Sequence, residues 1–198
     1  MCDVCAEEVK DNGDRAGWGG EAPAGNVRKR EEQTMITFKN VDRENFTAVI
    51  SMEVNDAQKG FMEDNLYSLA ECAFEESFVA KAIYSDDRPV GFMLYYFVED
   101  DPDYVFLHRL MIDRSQQGKG LGRAALLAAM DLFKEEFPSI ACVELMHYPD
   151  NKIGAAMYDA LGFLPTGEHR ESEPCRCEKD TKDENRYVEI VRRKYYGS

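Results

Sequence analysis

Residues 104–137 constrain the fold more than any other stretch, because an apolar strand there ends in a glycine-rich turn that opens a long amphipathic helix. Gly118, Gly120 and Gly122 let backbone N–H groups converge on one point without interference from Cβ atoms. The start of the helix adds unpaired N–H groups and the positive end of the helix dipole. The turn is therefore predicted to bind phosphate.

The turn differs from two common phosphate-binding templates. A P-loop needs Ser or Thr directly after Gly-Lys, but Gly120 and Leu121 follow Lys119. The dinucleotide fingerprint needs a third glycine three residues after the second and an acidic residue at the end of the next strand. The glycine spacing differs here, and that strand ends in His147 and Tyr148. The first template fails and the second is a weak match.

A third template fits better. Gln117-x-x-Gly120-x-Gly122 resembles the acetyl-CoA-binding motif of the GNAT superfamily of N-acyltransferases, Gln/Arg-x-x-Gly-x-Gly/Ala. Residues 151–163 resemble the other signature of that superfamily, an Asn that opens a helix ending in Tyr, Leu, Gly and Phe. The resemblance covers roughly residues 34–196. It is closest to bacterial-type spermine/spermidine acetyltransferases, because residues 45–73 read like their first two helices.

The resemblance implies a single α/β domain with the GNAT fold over residues 34–198. Its core would be a mixed sheet of about seven strands flanked by helices. Residues 1–33 are rich in glycine and charge and lack periodicity, so they are predicted to form a flexible N-terminal tail. Residues 167–186 form a charged insertion that contains Cys175 and Cys177, where related enzymes more often have a short turn.

Acetyl-CoA is the co-substrate that the resemblance implies. The central strand of the family leaves backbone groups free for pantetheine, a role carried here by Leu110, Met111 and Ile112. The residues expected to meet the pyrophosphate are Gln117, Gly118, Lys119, Gly120, Leu121, Gly122 and Arg123. Asn151 is expected either to hydrogen-bond CoA through its side chain or only to cap its helix.

Two residues are candidates for proton transfer. Tyr158 matches the position of the family's general acid, and a phenol pKa of about 10 against a thiol of about 8.5 makes proton donation to CoA close to balanced. His108 is the best candidate base, on the central strand where polyamine acetyltransferases tend to carry a carboxylate. Histidine titrates at about pH 6.5, so it can accept a proton at physiological pH. Glu144 and ordered water compete for this role.

The composition favours a cationic acceptor. The net charge is −14, with 38 acidic against 24 basic residues, which argues against nucleic acid as a partner, although acidity also serves solubility. A helix is predicted over residues 66–76. In the family, the region between the first strand and this second helix commonly lines the acceptor site, so Glu63, Glu71 and Glu75 are candidates for holding ammonium groups.

Metal and membrane partners are not expected. Cys2-x-x-Cys5 and Cys175-x-Cys177 could supply four thiolates, but the pairs are far apart and the second spacing is atypical of zinc sites. No apolar run is long enough to span a bilayer, and the N-terminus lacks the pattern of a secretory signal. A cytoplasmic protein is expected. The resemblance is consistent with a homodimer, which the residues themselves do not indicate.

The sequence therefore predicts an acetyl-CoA-dependent N-acetyltransferase, in which a primary amine of a small polyamine attacks the thioester directly. Two alternatives stay open. The acceptor is another amine, such as an aminoglycoside-type antibiotic or a protein lysine or N-terminus. Otherwise the chain is a non-catalytic module that senses acyl-CoA.

Overall fold

The computed structural model describes residues 35–97, 103–171 and 188–197. Within these ranges the strands form one mixed sheet. Residues 1–33, Cys2 and Cys5 among them, and the pair Cys175 and Cys177 lie outside these ranges. The described strands are β1 (Ile36–Asn40), β2 (Phe78–Ser85), β3 (Arg88–Phe97), β4 (Tyr104–Ile112), β5 (Cys142–His147), β6 (Leu164–Glu171) and β7 (Val188–Tyr195). The described helices are α1 (Phe46–Ile50), α2 (Asn65–Glu71), α3 (Leu121–Glu136) and α4 (Lys152–Ala160).

The sheet order is β1-β2-β3-β4-β5-β7-β6, and β4 and β5 run parallel while the other neighbouring pairs are antiparallel. A parallel pair needs a crossover connection, which α3 supplies. Among the described residues, the predicted mixed sheet of about seven strands flanked by helices is confirmed.

Alternating side chains divide the core between the two faces of the sheet. Tyr95 of β3 faces one side, where it packs in a cluster with Leu126 and Phe133 of α3. Leu94, one residue earlier, faces the other side, in a cluster that includes Val49 of α1. The buried residues of α3 recur at helical spacing, as its sequence pattern predicts.

Two predicted boundaries differ from the structure. The helix predicted over residues 66–76 ends at Glu71, so Glu75 lies on the connection to β2. Phe74 is 84% exposed, so this segment has no buried apolar face to extend the helix. At the other end of the chain, β6 continues to Glu171, and residues 167–171 of the predicted insertion are therefore strand.

An irregularity in β4 positions the rest of the site. The pairing of β4 with β3 passes from Leu107 opposite Tyr95 to Arg109 opposite Leu94, so His108 is an extra residue, a β-bulge. The parallel pairing with β5 ends at Leu107 opposite Leu145. Beyond the bulge, β4 pairs with β3 alone, and its edge toward β5 is open.

On the edge of β4 that faces away from β5, a close backbone contact holds β4 against β3. A Cβ atom at Gly91 would lie 2.3 Å from the carbonyl oxygen of Met111 and 2.9 Å from Cδ1 of Ile112. Real Cβ atoms do not come that near a backbone oxygen, so β3 could not hold β4 at this distance with any other residue.

Gly91→Ala is therefore expected to lower the free energy of unfolding by about 2 kcal/mol or more, because the added methyl group forces the two strands apart. Urea denaturation measures this. Gly122→Ala is the matched control, since its nearest neighbour, Sδ of Met157, would lie 3.6 Å from the new Cβ. Equal stability of Gly91→Ala and the wild type would contradict the close approach.

Candidate active site

A groove with a volume of about 350 Å³ opens where β4 and β5 diverge. One wall is β4 from His108 onward, and the other is the end of β5 with the first turns of α4. The glycine turn closes one end. The loop between α1 and α2 contributes Val54, Gln58, Phe61 and Met62.

Of the residues predicted to hold acetyl-CoA, all except Lys119 line this groove. They are Leu110, Met111, Ile112, Gln117, Gly118, Gly120, Leu121, Gly122, Arg123 and Asn151. Tyr158 and His108, the predicted acid and base, line the same groove. Lys119 instead extends over the outside of the turn, where its Nζ donates to Oε1 of Gln116 at 2.8 Å.

The glycine turn has the backbone geometry that its composition predicts. Gly118 and Gly120 have φ angles of 78° and 77°, in the left-handed region that favours glycine. The first bond of α3 runs from the N–H of Ala124 to the carbonyl of Gly120. The N–H groups of residues 121–123 therefore lack partners within the helix and suit an anion at the groove's end.

The side chain of Gln117 has a role that its motif does not predict. Its Nε2 donates to the carbonyl of Ile112 and to Oε1 of Gln58, both at 2.9 Å, and its Oε1 accepts from Nδ2 of Asn55. These bonds fasten the glycine turn to the loop that follows α1. Gln117 thus holds two walls of the groove together.

Helix α4 carries the two residues of the second motif. Asn151 is the N-cap, and its Oδ1 accepts from the N–H of Gly154 at 2.9 Å. Tyr158 lies two turns later, half-buried, with its ring between His147 and Phe163 at centroid distances of 5.6 and 6.1 Å. Burial raises the pKa of Tyr158 to about 12, while Arg192 lowers it and Glu189 raises it. A raised pKa keeps the phenol protonated but makes it a weaker acid.

His108 lies at the boundary between the groove and a second cavity of about 830 Å³. Its ring is half-buried among those of Phe78, Tyr96 and Phe106, at 5.4, 6.1 and 6.0 Å. Burial lowers the pKa of His108 to about 4, and the charge of Arg109 adds to this while that of Glu71 opposes it. The imidazole is thus uncharged at neutral pH, and it is a weaker base than an exposed histidine.

The four predicted carboxylates occupy different places. Glu71 forms an ion pair with Arg109, which also donates to Oγ of Ser68 at 3.2 Å. Glu75 lines the second cavity, and Glu63 lines neither cavity. Glu144 is fully buried on β5, where Arg193 and Arg170 approach its two oxygens at 2.6 and 2.7 Å. Glu144 is therefore not available to accept a proton from an amine.

Three features of the site are absent from the sequence predictions. They are the bulge at His108, the second cavity, and a pair formed by Arg192 and His147 behind Tyr158. The sequence could have identified His147 as a site residue, since it ends the strand beside the groove. Among the described residues, no three side chains of His, Cys, Asp or Glu cluster as a metal site would require. No helix in the described ranges could cross a membrane.

Comparison with known families shows to which family the chain belongs. The sequence model of the acetyltransferase (GNAT) family matches residues 37–163, which is more than half of the chain. The chain belongs to the GNAT acetyltransferase family. It is an N-acetyltransferase with acetyl-CoA as its co-substrate, as its two motifs predicted. The open edge of β4 and the glycine turn suit the amides and phosphates of that molecule.

Individual relatives agree on fold and differ in acceptor. The spermine/spermidine N(1)-acetyltransferase of Bacillus subtilis (strain 168) is 28% identical over 138 residues, which are 67% of this chain and 90% of the relative. The spermidine N-acetyltransferase of Vibrio cholerae, solved with CoA and spermine, has a TM-score of 0.59 at 17% identity, over 80% of this chain and 92% of that one. An aminoglycoside acetyltransferase solved with coenzyme A has a TM-score of 0.62 at 15% identity, over 82% and 95%. These structures share the fold of this GNAT enzyme.

The lowered pKa of His108 predicts a pH-dependent stability. Histidine titrates at about 6.5 in an unfolded chain and at about 4 here, so between these values the unfolded chain binds the proton more readily. The contribution of His108 is complete above pH 6.5 and is lost as pH falls toward 4. Between pH 7.5 and 5, it lowers the free energy of unfolding by about 2 kcal/mol.

Urea denaturation of the wild type and of His108→Gln at the two pH values measures this difference. The variant is expected to lose about 2 kcal/mol less than the wild type on acidification. His169→Gln, an exposed histidine on β6, is the control and should follow the wild type. Identical pH responses of wild type and His108→Gln would refute the buried, neutral state of His108.

Proposed function

We propose that this GNAT enzyme acetylates a primary amine of a small polyamine. The observation that carries the proposal is the position of His108, which borders both the acetyl-CoA groove and the second cavity. An acceptor in that cavity would reach the groove beside the proposed base. The polyamine relatives support the same substrate class.

The lining of the second cavity suits a flexible polycation. Glu75 and Glu76 supply negative charge at its border, and both are exposed to solvent. Apart from Ser77 and Val79, its other lining residues are aromatic, namely Phe78, Tyr96, Phe97, Phe137 and His108. Carboxylates attract ammonium groups, and aromatic faces accept both cations and the methylene groups between them. A polyamine has these two kinds of group in alternation.

The donor is expected to bind along β4. Beyond the bulge, the backbone of Leu110, Met111 and Ile112 faces the groove without a β5 partner and would hydrogen-bond pantetheine. The turn from Gln117 to Arg123 would meet the pyrophosphate. A backbone N–H near Leu110 would donate to the thioester carbonyl, a contribution typically worth about 3 kcal/mol in the transition state.

His108 would then take the proton from the attacking nitrogen. An ammonium has no electron pair with which to attack, so the acceptor nitrogen first loses one proton to solvent water, because the low pKa of His108 makes direct deprotonation of a free ammonium, with a pKa of about 10.4, strongly unfavourable. After the nitrogen has bonded to the carbonyl carbon it becomes far more acidic, and the transfer to His108 or to a water beside it is easier. Tyr158 would protonate the departing sulfur.

One assay tests both the general acid, through Tyr158→Phe, and the substrate class, through a panel of amines. Release of CoA from acetyl-CoA is measured with spermidine, spermine, putrescine, an aminoglycoside and a lysine peptide. The wild type is expected to turn over the polyamines selectively, and the variant to lose about 10²-fold or more in kcat, since it lacks the phenolic proton. Unchanged affinity for acetyl-CoA is the control for folding. Selective turnover of the aminoglycoside or the peptide would replace the polyamine proposal, and no turnover of any amine would refute it.

The second cavity can be tested separately. Glu75→Gln combined with Glu76→Gln removes its border charges, so KM for spermidine is expected to rise about 10-fold with little change in KM for acetyl-CoA. Asp131→Asn combined with Glu135→Gln, which removes two exposed carboxylates on α3, is the matched control for net charge. If both charge variants change KM equally, the second cavity does not hold the acceptor.

A further inference from the structure

Arg192 of β7 is a buried arginine behind the groove, only 6% exposed. Its Nε donates to Nε2 of His147 at 2.7 Å. Its Nη1 donates to Oδ1 of Asp159 at 2.5 Å and to the carbonyl of Phe163 at 3.0 Å. These bonds join the last strand to β5, to α4 and to the turn that follows α4. Neither family motif includes this residue.

The bonds of Arg192 fix the state of His147. A guanidinium can only donate, so Nε2 of His147 must accept and therefore carries no proton. The proton of the ring is then on Nδ1, which lies 2.9 Å from the carbonyl of Tyr148. His147 is thus held neutral in one tautomer, with its ring 5.6 Å from that of Tyr158.

Arg192 also places a fixed positive charge close to Tyr158. The charged and titratable groups around Tyr158 are Arg192 and Glu189 on β7, Asp159 on α4 and the neutral His147 on β5. The ion-pair partner Asp159 is itself 62% exposed, so water screens it more than it screens the buried guanidinium. Burial opposes ionisation of the phenol, whereas Arg192 favours it.

We propose that Arg192 is a positioning residue for acetyl transfer, which holds His147 against the ring of Tyr158 and stabilises the tyrosinate formed when the leaving thiolate is protonated. This inference rests on the role proposed above for Tyr158. The amine nitrogen bonds to the carbonyl carbon, and the C–S bond breaks with its electron pair going to sulfur. The phenolic proton of Tyr158 moves to that sulfur and gives the CoA thiol. The tyrosinate then regains a proton from water.

A double-mutant cycle tests whether Arg192 acts through Tyr158. Arg192→Gln in the wild-type enzyme is expected to lower kcat about 30-fold, because the tyrosinate loses its counter-charge, with KM for acetyl-CoA nearly unchanged. In the Tyr158→Phe background, where no tyrosinate can form, the same change is expected to cost less than about 3-fold. An equal loss in both backgrounds would overturn the proposal. No loss from Tyr158→Phe alone would instead refute the general acid.

Two further variants separate charge from packing. Arg192→Lys keeps the positive charge, although one ammonium cannot make all the bonds of the guanidinium, so it is expected to recover part of the kcat that Arg192→Gln loses; an equal loss in both would overturn the charge effect. Arg193→Gln is the matched control on the same strand, where it pairs with Glu144 instead. Its effect on kcat should be the same with and without Tyr158.

The state of His147 has a readout independent of turnover. Nitrogen-15 NMR of the histidine rings is expected to show His147 protonated on Nδ1 in the wild type. Burial is the main cause that lowers the pKa of His147 and the charge of Arg192 adds to it, so in Arg192→Gln the pKa should rise part of the way toward its ordinary value. A wild-type ring protonated on Nε2 would overturn the assigned hydrogen bond.

Discussion

The site depends on one break in strand pairing. A single extra residue at His108 shifts the register of β4 against β3, and at the same point the pairing with β5 ends at Leu107 and Leu145. An unbroken parallel pair would satisfy these backbone groups within the sheet and leave no groove. The sheet thus gives up backbone hydrogen bonds at its centre, and in the proposed donor site the amides of acetyl-CoA would restore them. The tight contact at Gly91 keeps the freed part of β4 attached to β3.

The same burial that shapes the groove sets the protonation states of its two candidate catalytic groups. It raises the pKa of Tyr158 to about 12 and lowers that of His108 to about 4, so both are neutral over the whole physiological range. Each state is the one its proposed role requires at the start of the reaction, a protonated acid and a free base. The same pKa shifts make Tyr158 a weaker acid and His108 a weaker base. Charges nearby, such as Arg192, are therefore more important here than in an exposed site.

Some features of the fold and the site can be predicted from the sequence and others cannot. The two groups have different physical origins. Gly118 and Gly120 are needed for a local backbone conformation, and Asn151 caps its own helix, so short motifs identify them. The alternation along β4 and the period of α3 likewise depend on neighbours in the chain. The bulge at His108 depends on register against a strand about fifteen residues earlier, and the pair of Arg192 with His147 joins residues 45 positions apart. Such contacts leave no periodic signal.

The proposed acceptor and the donor carry opposite charges, yet both must approach a chain with a net charge of −14. Overall acidity attracts a polyamine over long distances, whereas CoA phosphates need positive groups at contact range, such as the free N–H groups that begin α3 and the side chain of Arg123. The two ligands would meet at His108. If His108 were protonated at neutral pH, its positive charge would repel the incoming ammonium and keep the acceptor away from the groove. Because burial among three aromatic rings keeps His108 uncharged, the junction between groove and cavity remains open to a cation until the proton is transferred.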